Sequence, residues 1–578
     1  MQAVRRCGAV DWRLTAAFIG GVVFAVVLGL GFDGLTPNEP VGATDRARLE
    51  VGAAEQLSQS GTGPLSPDDL AIDDGADGTP GGGGDAPDDL LPGRQTRGRW
   101  TPAREAIDPR LQALLDREAD GALDSVAKAS GGKAGRSDCL VSFLAVDLES
   151  GAVVASRAPD RSMAPASNLK LVTTLSALHV LGPDWRFRTP VEAAGPLNAG
   201  VLGGDLVVRA GGDPLFRDGD PDYARGRLAQ LAGSLAEAGL RRVDGALVLD
   251  LGSFAPVGPA PGWPTSSASW TGSYGYVAGL TANAGLVDIA FEALAGGRTQ
   301  TTIAPSPTGL REESNVASTS QTVNDVQIGL YDSSGRLVLK GELGPPGRSF
   351  ERDIRHPNPP ALFAALFLRA LADRGIDVRD GFREARGVAP GRELAALETP
   401  WIDLITPINQ DSVNPVADAV FLAMGGATSG QWTREAARSA VAGALTDLGI
   451  DPRGLHQVGG SGLSRDNRIS PRMVVELLRA ALAQPPSVRQ RFLDSLAVAG
   501  QSGTLEDRMG GTAASGRLRG KTGFIQGASA LSGYVETLGG RQLVFSIVVE
   551  YPRLGGLNNS VWKPMHDSIG AHLAQWSP

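Results

Sequence analysis

The chain has 578 residues, 42% of them hydrophobic, enough for two or more packed cores at about 100 to 200 residues per domain. Its formal net charge of -9 gives no electrostatic case for a nucleic-acid partner. Two cysteines, Cys7 and Cys139, exclude a disulfide scaffold and a cysteine-based zinc site. The five histidines form no His-Glu-x-x-His pattern and there is no Gly-x-Ser-x-Gly elbow, so metal hydrolysis and Ser-His-Asp chemistry lose support.

Along the chain, an uncharged run from Leu14 to Phe32 follows Arg5, Arg6 and Arg13 and precedes Asp33, and it is long enough to cross a bilayer. The basic flank predicts a cytoplasmic start and an exported body. Residues 1–33 are read as an uncleaved membrane anchor, with a signal peptide cleaved near Val41-Gly42-Ala43 as the alternative. Cys7 precedes the apolar run, so it is not a lipidation site behind a signal sequence, and Cys139 reads as a buried small hydrophobe. Residues 34–104 are rich in Gly, Asp, Pro, Ser and Ala and read as a disordered linker.

Folding signals begin at Asp108, where Leu111, Leu114, Leu115, Ala119, Leu123 and Val126 recur at helical spacing through Lys128. A strand pair follows, Val141 to Asp147 and Ala152 to Ser156, with a turn ending at Gly151. A helix is predicted from Pro165 through Leu181. Between 196 and 395 the pattern changes to short β-like runs interrupted by two helices, Tyr223 to Ala238 and Pro360 to Arg374, which reads as inserted, mostly β domains. Helices return at Pro415 and Arg434. Three strands, Arg517 to Phe524, Ala530 to Glu536 and Gln542 to Tyr551, precede a closing helix, Val561 to Trp576. Helix and strand segments, in residues 105–195 and 396–578, thus flank the insertion on both sides.

Ser167-Asn168-Leu169-Lys170 sets a hydroxyl and an amine three residues apart at a helix start, on one face. A lysine kept neutral there takes the serine proton, which requires its pKa to fall from about 10.4 by burial or a neighbouring cation. Alone the pattern is that of an ordinary capping serine. Ser412-Val413-Asn414 adds a hydroxyl and an amide before the helix at Pro415, suited to relaying a proton and holding a peptide carbonyl. Lys521-Thr522-Gly523 lies on a predicted strand, which pairs with extended peptides by main-chain bonds. A phosphate-loop reading of Gly516 to Thr522 fails, because three residues separate its glycines where four are needed.

In this order the three motifs resemble the penicillin-binding and β-lactamase set. More closely, the chain resembles the D-alanyl-D-alanine carboxypeptidase/endopeptidase family of low-molecular-mass penicillin-binding proteins, which carries a large insertion between the first two motifs. Gly211-Gly212-Asp213-Pro214, Ser461-Gly462-Leu463-Ser464-Arg465-Asp466-Asn467 and Gly503-Thr504-Leu505 add to the likeness, which spans about 135 to 578. The resemblance implies an α+β penicillin-recognising fold, a five-stranded antiparallel sheet flanked by helices, built as one catalytic domain from residues 105–195 and 396–578 with the mostly β domains inserted between. It implies Ser167 as nucleophile, Lys170 as base, Ser412 as proton relay, Asn414, Lys521, Thr522 and Gly523 on the substrate, and the Phe524 backbone N–H with that of Ser167 in an oxyanion hole. No metal or organic cofactor is expected. The implied partners are peptidoglycan stem peptides as substrates and β-lactams as covalent inhibitors, with the membrane reached through the N-terminal segment. The sequence departs from the family at Phe524, where threonine is usual, and at Gly459, where an acidic residue is common. A non-catalytic wall-binding protein with the same fold and a serine esterase or β-lactamase are the competing functions.

Overall fold

The computed structural model describes residues 105–254, 258–263, 271–331 and 334–578. The expected anchor at 1–33 and linker at 34–104 lie outside the described residues. Among the described residues no helix is long and apolar enough to cross a membrane.

An antiparallel sheet organises the two ends of the chain. Its order is Ala497–Val498, Leu518–Ile525, Ala528–Glu536, Gln542–Glu550, Leu140–Asp147 and Val153–Arg157. It therefore has six strands rather than the expected five, because Ala497 and Val498 add a short edge opposite Gly520 and Arg519. Both faces are covered, as strand alternation requires. Phe143 and Ala145 enter a core with the helices Pro109–Ala129 and Lys563–Gln575, while Leu144 and Val146 enter another with Leu169–Val180 and Pro471–Leu482.

The first helix starts where Asp108 accepts hydrogen bonds from the N–H groups of Arg110 and Leu111, at 2.8 and 3.0 Å, with Pro109 in its first turn. The second oxygen of that carboxylate takes the Trp576 indole N–H at 3.0 Å, so one side chain caps the first helix and ties down the chain's end. Cys139 is buried, as expected, and burial pushes its thiol up to about 11.

Two long antiparallel strands, Arg186–Ala194 and Arg392–Pro400, carry the chain out of this body and back. They join Asp205–Arg209, Leu247–Asp250 and Phe382–Ala385 in a second sheet. Asp205–Arg209 and Leu247–Asp250 are parallel, and the helix Tyr223–Glu237 makes the crossover between them. Smaller sheets centred on Leu286–Ala293 and Arg336–Gly344, and a third of four two-residue strands, Asp377–Val378, Arg242–Val243, Val201–Leu202 and Leu197–Asn198, belong to the mostly β middle of the chain, whose core includes the helix Pro359–Asp373. The expected junctions at 195/196 and 395/396 fall at the end of one out-and-back strand and within the other. These two strands pair with the middle of the chain rather than with the first sheet.

Candidate active site

Ser167 lies in a short 3-10 turn, Ala166–Asn168, that feeds directly into the helix Leu169–Val180. Ala166 has a φ of 47°, a left-handed conformation costly for a residue with a Cβ, so the turn is held by its surroundings. One clamp is Gly462, at φ 89°, where a Cβ would stand 2.0 Å from the Ala166 carbonyl oxygen. Another is Asn168, whose Nδ2 donates to Ser532 Oγ at 2.6 Å on the sheet.

Lys170, fully buried, has its Nζ 3.2 Å from Ser167 Oγ. The same nitrogen donates to Asn414 Oδ1 and to the Ser461 carbonyl oxygen, each at 2.6 Å. A neutral amine has two N–H bonds and one lone pair. With both hydrogens committed to those acceptors, the lone pair is left for the serine hydroxyl. Burial drives the Lys170 pKa well below its usual value, the charge of Lys521 lowers it further, and Asp418 opposes the shift.

Asp418 projects from the helix Asn414–Ser429. Its Oδ1 accepts the N–H groups of Gly460 and Ser461 at 2.5 and 3.0 Å and so fixes the carbonyl that holds Lys170. A Cβ on Gly459 would come within 2.8 Å of the same carboxylate oxygen. Gly459, expected from the resemblance to stand where an acid is common, faces an acid on the neighbouring helix. Sequence reasoning missed Asp418, because an acid in the first turns of a helix is ordinary.

Asn414 opens its helix, and its Nδ2 donates to the Ser273 carbonyl of the inserted region at 3.0 Å. Ser412, two residues earlier and half-buried, has a φ of 66°. The turn that carries it is pinned by the Val413 N–H donating to the Pro407 carbonyl at 3.0 Å. Trp263 and Tyr274, also inserted, meet edge to face at 5.8 Å and pack on Ala164, Ala166, Leu463, Ile525 and Ala528. Sequence patterns gave no sign that this region lines the site.

The Lys521-Thr522-Gly523-Phe524 segment lies on the strand Leu518–Ile525. Lys521 is fully buried and its Nζ has no hydrogen-bond partner among the described residues, while burial lowers its pKa to about 7 and Asp411 opposes the fall. Thr522 Oγ1 lies 2.9 Å from Thr504 Oγ1. At Gly523 a Cβ would stand 2.8 Å from the Pro165 carbonyl oxygen and 3.3 Å from Ala166 Cβ, so the glycine lets the strand approach the serine turn. The Leu518 carbonyl accepts from Ala499 N–H on the edge away from Ala528–Glu536. Backbone groups alternate along a strand, so those of Thr522 and Phe524 point to that same edge, which the short strand Ala497–Val498 leaves open beyond Gly520. The Phe524 side chain shares a face with Thr522 and is 51% exposed.

Ser167, Lys170 and Asn414 are thus directly connected, Lys521 acts on Lys170 electrostatically, and Gly523 packs on the serine turn. His179 lies away from these groups, at the surface, 3.2 Å from Asp447. Among the described residues no group of three or more His, Cys, Asp or Glu side chains is arranged to hold a metal ion.

Comparison with known proteins agrees with this architecture. The chain matches the D-Ala-D-Ala carboxypeptidase 3 (S13) family over residues 133–573. It is 30% identical over 497 residues to a D-alanyl-D-alanine carboxypeptidase of Actinomadura sp. (strain R39), covering 83% of this chain and 86% of that protein. It is 25% identical over 416 residues to the D-alanyl-D-alanine carboxypeptidase DacB of Haemophilus influenzae, covering 70% and 84%. The crystal structure of penicillin binding protein 4 from Haemophilus influenzae superposes with a TM-score of 0.65 at 22% identity, covering 76% of this chain and 97% of that one, and shows the same fold. With the family pattern running through both halves of the six-stranded sheet and everything between, this chain belongs to the D-Ala-D-Ala carboxypeptidase 3 (S13) family.

Proposed function

We propose that Ser167 is the nucleophile with which this D-Ala-D-Ala carboxypeptidase opens the bond between two D-alanine residues of a peptidoglycan stem peptide. The observation that carries the assignment is the Lys170 amine, fully buried, bonded to Asn414 Oδ1 and the Ser461 carbonyl, and 3.2 Å from Ser167 Oγ.

Neutral Lys170 takes the hydroxyl proton as Ser167 Oγ attacks the carbonyl carbon. The resulting oxyanion receives hydrogen bonds from the N–H groups of Ser167 and Phe524. The tetrahedral species collapses with loss of the C–N bond, and the proton passes from Lys170 through the Ser412 hydroxyl to the departing amine of D-alanine. Water then attacks the ester carbonyl of the acyl-enzyme, giving its proton back along the same route and releasing the shortened peptide. Asn414 positions the substrate amide, while Lys521 and Thr522 hold the terminal carboxylate, with Gly523 keeping the strand close. A buried ammonium with no partner is costly unless an anion arrives, which supports this use of Lys521.

The same serine accounts for β-lactams as covalent inhibitors, since a strained cyclic amide offers the same carbonyl. The family's D-Ala-D-Ala carboxypeptidase activity supports a body acting outside the cytoplasm. We assign Leu14 to Phe32 as its membrane anchor, on length and basic flank. Cleavage of cross-links as well as terminal residues is favoured by Phe524, which offers an apolar face where other members offer a hydroxyl to a carboxylate.

The test is labelling with a fluorescent penicillin, together with D-alanine release from a pentapeptide, for the wild type and Ser167→Ala. Labelling and release that vanish in the variant are expected. A variant that still labels removes Ser167 as nucleophile, and rapid penicillin turnover by the wild type makes the protein a β-lactamase.

A further inference from the structure

Thr173 stands one turn after Lys170 on the same face of the helix Leu169–Val180 and is fully buried. Its hydroxyl donates to the Gly460 carbonyl at 2.8 Å, the Leu169 carbonyl one turn back being farther away at 3.4 Å. The Gly460 carbonyl belongs to the same peptide group as the Ser461 N–H, which donates to Asp418 Oδ1 at 3.0 Å. The peptide before it is held in the same manner: Gln457 Nε2 donates to the Gly459 carbonyl at 3.0 Å, while the Gly460 N–H donates to Asp418 Oδ1. Gln457 Nε2 also reaches Thr173 Oγ1, at 3.4 Å, so the two side chains that grip these carbonyls meet each other. Gly460 permits the close approach to the helix Asn414–Ser429, since a Cβ on it would lie 2.3 Å from the Ala417 carbonyl oxygen and 2.6 Å from Phe421 Cβ.

We infer that Thr173 is a positioning residue for the Lys170 lone pair: with Asp418 it grips the Gly460–Ser461 peptide from opposite ends and so aims the Ser461 carbonyl at the amine. The inference rests on the reading of Lys170 as the base of Ser167. A peptide group is planar and its C=O and N–H point in opposite directions, so a partner at each end stops the plane from turning about the chain. Asp418 alone holds only the N–H end and leaves a hinge. With the plane fixed, the Ser461 carbonyl is one backbone torsion away from a rigid support, and that carbonyl takes a Lys170 N–H at 2.6 Å. The direction of that N–H, together with the one given to Asn414, decides where the lone pair points. Thr173 thus acts on the reacting hydroxyl through two backbone groups and touches no substrate.

The experiment measures the rate of penicillin acylation against pH for the full chain and its Thr173 variants. Thr173→Val keeps the shape and removes the hydroxyl. Its rate at the alkaline plateau is expected to fall about 10-fold, the scale of one lost hydrogen bond. Its acid limb is expected to move to lower pH, because a carbonyl holds an ammonium more firmly than an amine, and drawing that acceptor away lowers the Lys170 pKa. Lys521 and Asp418, the charged groups that act on Lys170, are unchanged in the variant. Thr173→Ser restores both rate and limb. A lower plateau with the limb in place, the mark of a helix merely loosened, overturns the inference, as does a wild-type profile or a limb moved to higher pH. Thr173→Cys, whose thiol is a weaker donor of similar size, is the gentler variant: a limb shifted part of the way agrees, and an unshifted limb overturns the inference even where Thr173→Val fails to fold. A wild type that penicillin does not acylate, or a Ser167→Ala variant that it still acylates, removes the underlying assignment of Ser167 and Lys170 instead, and this inference with it.

Discussion

Asn414 is held at both ends of its amide: Oδ1 accepts from Lys170 Nζ at 2.6 Å, and Nδ2 donates to the Ser273 carbonyl at 3.0 Å. A carbonyl acceptor binds only the nitrogen end, so the inserted region determines that oxygen, rather than nitrogen, faces the lysine. Asn414→Asp places a carboxylate beside the amine, raises its pKa and keeps it protonated. Penicillin acylation at neutral pH is expected to fall about 10²-fold, the scale of losing a general base, and to recover as the pH is raised. Asn414→Leu loses activity without that alkaline recovery. Stopped-flow acylation of the three proteins across the neutral to alkaline range distinguishes them.

Asp418 and Lys521 push the Lys170 pKa in opposite directions, so their removal shifts the acid limb of the acylation profile in opposite directions. With Lys170 as the proposed base, activity needs the neutral amine and is lost as pH falls through the Lys170 pKa. Lys521→Met removes a neighbouring cation, raises that pKa and moves the limb to higher pH. Asp418→Asn lowers it and moves the limb to lower pH. A carboxylate-free acylating thioester is the appropriate probe, since its binding does not depend on Lys521.

Lys521 also links stability to pH. Its folded pKa is near 7, whereas an unfolded lysine holds its proton to about 10.4. Between those values the unfolded chain binds more protons, so this group's contribution makes the folded state more stable as pH rises, with a limiting slope of about 1.4 kcal/mol per pH unit. Lys521→Met, which keeps an apolar stem of similar length, is expected to be more stable than the wild type by a few kcal/mol below pH 7. The gap closes toward about pH 10. Denaturant titrations of both proteins at several pH values measure it; a gap that widens with pH contradicts the burial argument.

The placement of the candidate site was legible where side-chain identity and spacing coincide. Ser167 and Lys170 must share a helical face, and the order of Ser412, Asn414 and Lys521 along the chain removes most chance matches. Less was legible where backbone supplies the contact. The Ser461 and Ser273 carbonyls carry no residue-type signal, and their positions depend on Asp418 and on the return of the inserted strands. The helix Pro471–Leu482 went unread although Ser470 caps it, accepting from Met473 N–H at 3.2 Å, and Pro471 opens it. In the middle of the chain, parallel pairing such as Leu206 with Leu247 joins residues distant in sequence, which local alternation does not reveal.

Gly523 and Gly462 face the serine turn from opposite elements, and both lack room for a methyl group. At Gly523 the obstacles are the Pro165 carbonyl at 2.8 Å and two methyl carbons at 3.2 and 3.3 Å, so Gly523→Ala requires the strand to retreat by a few tenths of an ångström. A reacting geometry is sensitive on that scale, and acylation is expected to drop about 10²-fold with the protein still folded. Gly462→Ala meets the Ala166 oxygen at 2.0 Å from a φ of 89° and cannot be absorbed so cheaply. It is expected to cost more than about 3 kcal/mol of stability as well as activity. Thermal denaturation beside penicillin labelling separates the two effects.

The role proposed for Phe524 concerns substrate choice rather than folding. Its side chain is 51% exposed on the groove side of the strand, so replacing it changes stability within about 0.5 kcal/mol. Phe524→Thr puts a hydroxyl on the face that Thr522 already occupies, where Thr522 is proposed to hold the substrate carboxylate. One added hydrogen bond to a carboxylate corresponds to roughly 10-fold in binding, so D-alanine release from a pentapeptide should rise by about that factor in kcat/KM. Cleavage of a cross-linked dimer, whose leaving group continues beyond that carboxylate, should gain less and lose the apolar contact of the ring. A variant in which both substrates change in parallel would show that the ring acts on the acyl side of the groove, and the leaving-group assignment of Phe524 would then be abandoned.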